Sequence, residues 1–165
     1  MNLITHVLFG VFIQILCFIF FTFPFNFLLT IIIAFLSHFI VDAFSKITYH
    51  TPEPHWDDKF WVFWNISVRV VGYIAIIPFF RYYLGIIFVN LPDIWDWTIV
   101  RRVQRRRNLN GKIDYHHNNF FHRIVDKIRE KTLYWLPNWI YVKKAVLVEI
   151  MIDIVLFIGV IVLMV

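Results

Sequence analysis

The feature that most constrains this fold is a series of long apolar runs. Segments 3–23, 27–45, 60–80, 82–97 and 145–165 are dominated by Leu, Ile, Val and Phe. A membrane-spanning helix needs about 20 such residues, and 60% of the 165 residues are hydrophobic. Because a spanning segment must satisfy its own backbone hydrogen bonds, we expect an all-α, polytopic membrane bundle of about five spans.

The chain is expected to form one integral membrane domain, 1–165, that carries a basic section at about 101–144. Continuous apolar runs argue against a β-barrel, whose strands alternate apolar and polar residues. Within the basic section, apolar residues recur at helical spacing between charges, which predicts an amphipathic helix at the cytoplasmic membrane surface. Its apolar residues are Phe121, Ile124, Val125 and Ile128.

The basic section also predicts the orientation in the membrane. Short loops rich in Lys and Arg stay in the cytoplasm, so we expect an integral protein of the cytoplasmic membrane with its N-terminus and basic loop inside the cell. A juxtamembrane arginine cluster of this kind is expected to hold anionic lipid headgroups. Binding of nucleic acid is the less favoured alternative, although the net charge of +5 is compatible with it. The cluster consists of Arg101, Arg102, Arg105, Arg106 and Arg107.

Ionisable residues stand within the ends of the predicted spans, where they are costly and are usually functional or paired. His6 opens the first span, His38 and Asp42 close the second, and Asp93 closes the fourth. With about five spans, all of these ends meet at the cytoplasmic face. His38 and Asp42 stand four residues apart, so a helix projects both from one face.

Histidines and carboxylates without thiolates suit a catalytic zinc, manganese or iron better than a closed structural zinc site. Zinc is the expected ion. For His38 and Asp42 the alternative is an interhelical hydrogen bond. His116 and His117 are adjacent, so at most one points inward, and His122 competes with them as a ligand. The remaining histidines of this region, His50 and His55, are expected to be loop residues.

Three further residues are candidates for roles beside the metal. Arg69 is expected to point into the bundle, either in a structural ion pair with Asp42 or Asp93 or as a guanidinium that neutralises a phosphate. Asp96 or Glu149 would act as the general base or would orient a metal ligand through a hydrogen bond.

Four ordered motifs, THVLFG, SHFIVDAF, LPDIWD and YHHNNFFHR, carry a resemblance to a known group. The chain resembles small prokaryotic membrane proteins regarded as metal-dependent hydrolases. These are distantly similar to the zinc-dependent phospholipase C and single-strand nuclease superfamily, all-helical enzymes with His and Asp ligands. The resemblance implies metal-site positions at His6, His38, Asp42, Asp93 and His122, with His116 or His117 near them.

The sequence therefore predicts a metal-dependent hydrolase of a phosphoester, in a lipid or lipid-linked molecule, at the cytoplasmic interface. A non-catalytic membrane scaffold or subunit with structural His and Asp hydrogen bonds is the alternative. An open pocket that water can reach would favour the enzyme, and closed packing the scaffold. Ion transport ranks last because, apart from Arg69 and Arg81, the ionisable residues stop at one face.

Overall fold

The computed structural model describes residues 2–51, 55–100, 102–103 and 120–165, and the elements in these ranges are helical. A π-helical turn, Ile94–Val100, continues from the fourth helix. The α-helices are α1 Leu3–Phe20, α2 Phe25–Phe44, α3 Lys59–Ile76, α4 Tyr83–Asp93, α5 Phe120–Lys131 and α6 Val146–Met164.

Three of the described helices are long and apolar enough to cross a membrane: Leu3–Phe20, Phe25–Ile47 and Lys143–Met164. Helices α3 and α4 pass this criterion only as a pair, Lys59–Ile76 with Phe80–Val100, which is bent by 89°. The structure thus has three candidate spans, or four if the bent pair counts as one. The predicted count of about five spans is not confirmed.

Helix α1 is the centre of the bundle and packs against α2, α3, α4 and α6. Its residues up to Cys17 are buried or half-buried, as expected of a helix enclosed by others. Val7, Leu8 and Val11 are fully buried in one cluster with Phe79 at the bend and Val160 of α6. The central helix therefore fixes the positions of its four neighbours relative to one another.

Helices α1 and α4 touch backbone to backbone at two glycines. A Cβ atom added to Gly10 would lie 2.6 Å from the carbonyl oxygen of Gly85, so neither position has room for a side chain. Small residues permit such close approach between membrane helices. Further along α4, Asp93 reaches the beginning of α1, where its Oδ2 lies 3.7 Å from Nε2 of His6. Helix α4 therefore runs antiparallel to α1.

Helix α3 begins at this same end of the bundle. Trp61, in its first turn, forms a buried cluster with Tyr49, which follows α2, and with Ala145 and Val146 at the beginning of α6. The bent pair thus starts and finishes at one end, and the ends of α2 and α4 meet the beginnings of α1 and α6 there.

Helix α5 covers the segment in which amphipathic spacing was found, and protein covers its apolar side. Phe121, Val125 and Ile128 pack against Phe39 and Ala43 of α2. Val125 is 1% exposed. The docking carries the first turn of α5 to the end of the bundle where the polar residues meet.

Candidate metal centre

Helix α2 presents His38 and Asp42 side by side, in accordance with their spacing of four residues. His38 Nε2 lies 3.4 Å from Asp42 Oδ2, and both side chains are buried. The other ring nitrogen of His38, Nδ1, lies 2.9 Å from the carbonyl oxygen of Val89. Because a carbonyl only accepts, Nδ1 carries the proton and Nε2 is left with its lone pair. Within the described part of the chain, Nε2 has no hydrogen-bond partner.

Two other helices complete a four-residue group. Asp93 comes from the last turn of α4, directly before the π-helical turn, and His122 comes from the first turn of α5. His122 Nε2 lies 3.4 Å from Asp93 Oδ1 and 3.6 Å from Asp42 Oδ2, and His38 Nε2 lies 3.9 Å from Asp93 Oδ1. Turns of π-helix are frequent at functional sites, so the local geometry after Asp93 agrees with its placement here.

The four facing atoms have the spacing of a metal coordination sphere. One ligand atom each from His38, Asp42, Asp93 and His122 lies within 4.8 Å of all the others. Tetrahedral zinc, with ligand bonds of about 2.0–2.1 Å, requires ligand separations of about 3.3–3.4 Å. The four separations given above are 3.4–3.9 Å. Shifts of a few tenths of an ångström would therefore bring these atoms to bonding distance, and the group could hold a metal ion.

Asp96 fixes the orientation of His122. Its buried Oδ2 lies 2.8 Å from His122 Nδ1 and accepts hydrogen bonds from the backbone N–H groups of Phe121 and His122 at 3.0 Å. Burial alone would lower the pKa of His122, but hydrogen bonds to Asp93 and Asp96 outweigh it and raise the pKa to about 10. A metal ion at Nε2 would take the place of that proton. Of the two roles predicted for Asp96, this position suits the orientation of a ligand.

Two groups at the site went unpredicted. The Val89 carbonyl, which sets the tautomer of His38, leaves no signal in sequence because any residue supplies a carbonyl. Trp97 donates a hydrogen bond from Nε1 to Asp93 Oδ1 at 3.1 Å, and its ring lies 5.2 Å from that of His122. Its position four residues after Asp93 is the same spacing that identified His38 and Asp42, and could have revealed it.

The four side chains of the group differ in exposure. Those of Asp93 and His122 are 30% and 23% exposed, whereas those of His38 and Asp42 are buried. The half-buried members therefore lie where α4 ends and α5 begins.

His6 of α1 lies beside the four-residue group. Its Nε2 lies 3.1 Å from Asp42 Oδ1 and 3.7 Å from Asp93 Oδ2. Its ring centroid lies 4.7 Å from that of His38. His6 therefore contacts the same two carboxylates as the four-residue group, but at their other oxygen atoms.

Other predicted residues lie apart from this group. Glu149 is buried on α6, where its Oε1 accepts a hydrogen bond from the backbone N–H of Asn2 at 3.0 Å. Arg69, which was expected to point into the bundle, is exposed on α3 and forms no ion pair with a described residue. The physical reason is that the buried stripe of α3 runs through Trp61, Val68 and Gly72. Arg69 directly follows Val68, about 100° around the helix, and so falls outside that stripe.

The remaining histidines are divided between the loop after α2 and a part of the chain outside the described residues. Burial lowers the pKa of His50 to about 3, and its backbone N–H bonds to the Ile140 carbonyl. Neither His50 nor His55 belongs to the described metal group. His116 and His117 lie outside the described residues, as do four arginines of the basic cluster, Arg101, Arg105, Arg106 and Arg107.

Comparison of the chain with protein-family models, curated proteins and solved structures found no match.

Proposed function

We propose that this protein is a divalent-metal-dependent hydrolase that cleaves a phosphoester, in a lipid or lipid-linked substrate, at the cytoplasmic face of the membrane. One observation carries the proposal: four metal-ligating atoms from three helices converge at near-tetrahedral spacing, and two of the four side chains are partly exposed. The long apolar helices support a membrane location.

The pattern of hydrogen bonds favours a metal over a purely structural cluster. Buried polar groups in a structural network are normally paired, yet His38 Nε2 has no partner among the described residues. In both His38 and His122, Nδ1 is held by a protein acceptor and Nε2 faces the carboxylates. Metal-ligating histidines have this arrangement, in which the second nitrogen fixes the tautomer and the ring orientation.

The donor set and its exposure favour catalysis over a closed structural site. Structural zinc is held mainly by cysteine and histidine, whereas catalytic zinc sites also use carboxylates and keep a position for water or substrate. With four protein ligands, that position requires expansion to five-coordination. When bound, a divalent metal supplies Lewis acidity toward a phosphoryl oxygen and lowers the pKa of water. His38, Asp42, Asp93 and His122 would hold it. Asp96 would keep His122 Nε2 directed inward, and Trp97 would position Asp93.

The phosphoester as substrate class is supported by the motif resemblance and by the arginine-rich segment 101–107 that follows the site in sequence. Arg69 has no part in the proposed phosphate recognition, because its side chain is exposed on α3. Zinc is the ion proposed, with manganese and iron as alternatives that the same donor atoms accept.

Elemental analysis of the detergent-purified protein tests the metal centre. We expect about one equivalent or more of a transition metal in the wild type and little in the double variant His38→Ala, Asp42→Ala. His55→Ala is the matched control, because this histidine is outside the described metal group. Less than about a tenth of an equivalent in the wild type after supply of zinc, unchanged in the double variant, would refute the centre.

Hydrolysis is tested separately with chromogenic phosphomonoesters and phosphodiesters and with phospholipid vesicles. Activity should disappear with a chelator, return with zinc and be lost in the double variant. A metal-loaded protein that hydrolyses none of these substrates would favour the non-catalytic scaffold instead.

A further inference from the structure

A groove of about 350 Å³ lies at the end of the bundle opposite the metal group. It is formed by the last turns of α1 and α6 and by the bend that joins α3 to α4. Phe18 in the groove stands twelve residues after His6 on α1, which places it about 18 Å further along the helix axis. Because α1 and α6 end near it, at Phe20 and Met164, the groove lies toward the far membrane surface.

The walls of the groove are mainly apolar, and protein leaves them partly uncovered. Phe18 is 41% exposed, Ile19 55% and Met164 42%. These residues belong to two candidate membrane spans, so the molecules that meet them in the membrane are lipids. The apolar residues that line the groove are Ile15, Phe18, Ile19, Leu163 and Met164.

The polar groups of the groove are hydrogen-bond donors that the protein leaves unused. Arg81 is exposed, forms no ion pair with a described residue, and has its Cζ 4.9 Å from the centroid of the Tyr82 ring. Gln14 accepts a hydrogen bond from the Gly85 backbone N–H at Oε1, at 2.8 Å, and its Nε2 donates to no described residue. Among the residues described, no Asp or Glu lines the groove. The groove therefore combines a positive charge with free donors.

We propose that this groove binds one anionic phospholipid, from the leaflet on the side of the membrane away from the metal group. The lipid phosphate pairs with the Arg81 guanidinium, whose planar set of N–H groups matches phosphate oxygens. One acyl chain lies along the apolar wall. An unpaired charge among membrane-embedded residues is costly, and the lipid supplies its counter-charge. A free anion would leave the apolar wall unused, which is why the lipid is the better match.

A lipid in this groove bridges the bend beside α1 and the end of α6, so its binding should stabilise the folded protein. The site is independent of the proposed function, because no residue of the metal group takes part in it.

Thermal unfolding of the full-length protein in detergent tests the stabilisation. Saturating dioleoyl phosphatidylglycerol should raise the unfolding temperature of the wild type by about 5 °C. Dioleoyl phosphatidylcholine, with the same chains and no net charge, and glycerol phosphate, with the anion and no chains, should raise it much less. Arg81→Gln should lose most of the shift. Arg69→Gln is the matched control, because Arg69 is also an exposed arginine of the bent pair but does not line the groove; it should keep the shift.

Photochemical cross-linking locates the lipid. A phosphatidylglycerol with a diazirine in its acyl chain should label Phe18 and Met164 in the wild type and about tenfold less in Arg81→Gln. Equal labelling by a phosphatidylcholine probe, or undiminished labelling in Arg81→Gln, would overturn the proposal and mean that the groove only contacts bulk acyl chains. Displacement of the probe by glycerol phosphate alone would overturn the lipid in favour of a free anion. If Arg81→Gln does not fold, competition between the two unlabelled lipids in the wild type decides.

Discussion

Replacing Asp96 with alanine is expected to weaken metal binding without removing a metal ligand. Asp96 Oδ2 is the common acceptor for His122 Nδ1 at 2.8 Å and for the backbone N–H groups of Phe121 and His122 at 3.0 Å. The same oxygen therefore caps the first turn of α5 and orients the ring that α5 contributes. The variant would leave that ring free to rotate on a frayed helix end.

The expected magnitude follows from these two roles. Loss of a group that orients a metal-ligating histidine typically weakens metal binding about 10- to 100-fold, which corresponds to about 1.4–2.7 kcal/mol. Loss of a helix cap costs about 1 kcal/mol, and here it weakens the docking of α5 on α2. Since both effects act through His122, we expect them to overlap and not to add in full.

Competition between the detergent-purified protein and a chromophoric chelator measures the zinc affinity. Asp96→Asn keeps one oxygen acceptor and should lose less affinity than Asp96→Ala. Asp126→Asn is the control, because Asp126 also lies on α5 but forms a partly exposed pair with Arg129 at 3.2 Å; its affinity should stay within about twofold of wild type. A wild-type zinc affinity in Asp96→Ala, with α5 still docked by limited proteolysis, would refute the role of His122 as an oriented ligand.

Two further predictions concern the packing that brings the ligands together, and thermal unfolding in detergent measures both. Gly10→Ala should destabilise the protein by about 1–3 kcal/mol, because the new Cβ atom would lie 2.6 Å from the Gly85 carbonyl oxygen. The control Gly159→Ala should be tolerated, because the nearest atom to its Cβ would lie at 3.4 Å. Equal destabilisation by the two variants would contradict the close contact between Gly10 and Gly85. Val125→Ala should lower the stability by about 1.5–2 kcal/mol, because it removes carbon atoms from a buried site. The control Ile124→Ala, at a position 37% exposed, should change the stability by about 0.5 kcal/mol or less. The reverse order would mean that the apolar face of α5 is not docked on α2.

The sequence predicted the part of the site that depends on local geometry. A helix places residues four apart on one face whatever surrounds it, so the pairing of His38 with Asp42 could be foreseen. The rotation of α3 about its axis could not, because it depends on which side packs against α1, and Arg69 was therefore placed wrongly in the bundle interior. The contacts of Asp96 with the first turn of α5 and with the His122 ring also depend on how α5 docks on α2. The spacing of residues along the sequence does not specify that docking.

The predicted number of spans is not confirmed, for a different physical reason. An apolar segment is stabilised equally by lipid and by other apolar helices, so hydropathy alone does not separate a span from a helix that packs within the bundle. Segments 60–80 and 82–97 were predicted as two spans. In the structure they form α3 and α4, joined by a bend of 89°, and Phe79 at that bend is buried against Val7 and Leu8 of the central helix.

The polar residues converge whichever span count holds. Convergence requires only that the chain cross the membrane an even number of times, or not at all, between the end of α2 and the end of α4. If α3 and α4 were two full spans, Asp93 would return to the side of the membrane where α2 ends. If α3 and α4 form a bent pair that enters and leaves at one end, Asp93 returns to that same side. A single crossing would carry Asp93 to the opposite end from His6. The 3.7 Å between Asp93 Oδ2 and His6 Nε2, together with the packing of Trp61 against Val146 at the beginning of α6, is incompatible with that arrangement. The bent pair therefore acts as an excursion into the bundle, and the backbone contact of Gly10 with Gly85 sets how far Asp93 reaches back toward the metal ligands on α2.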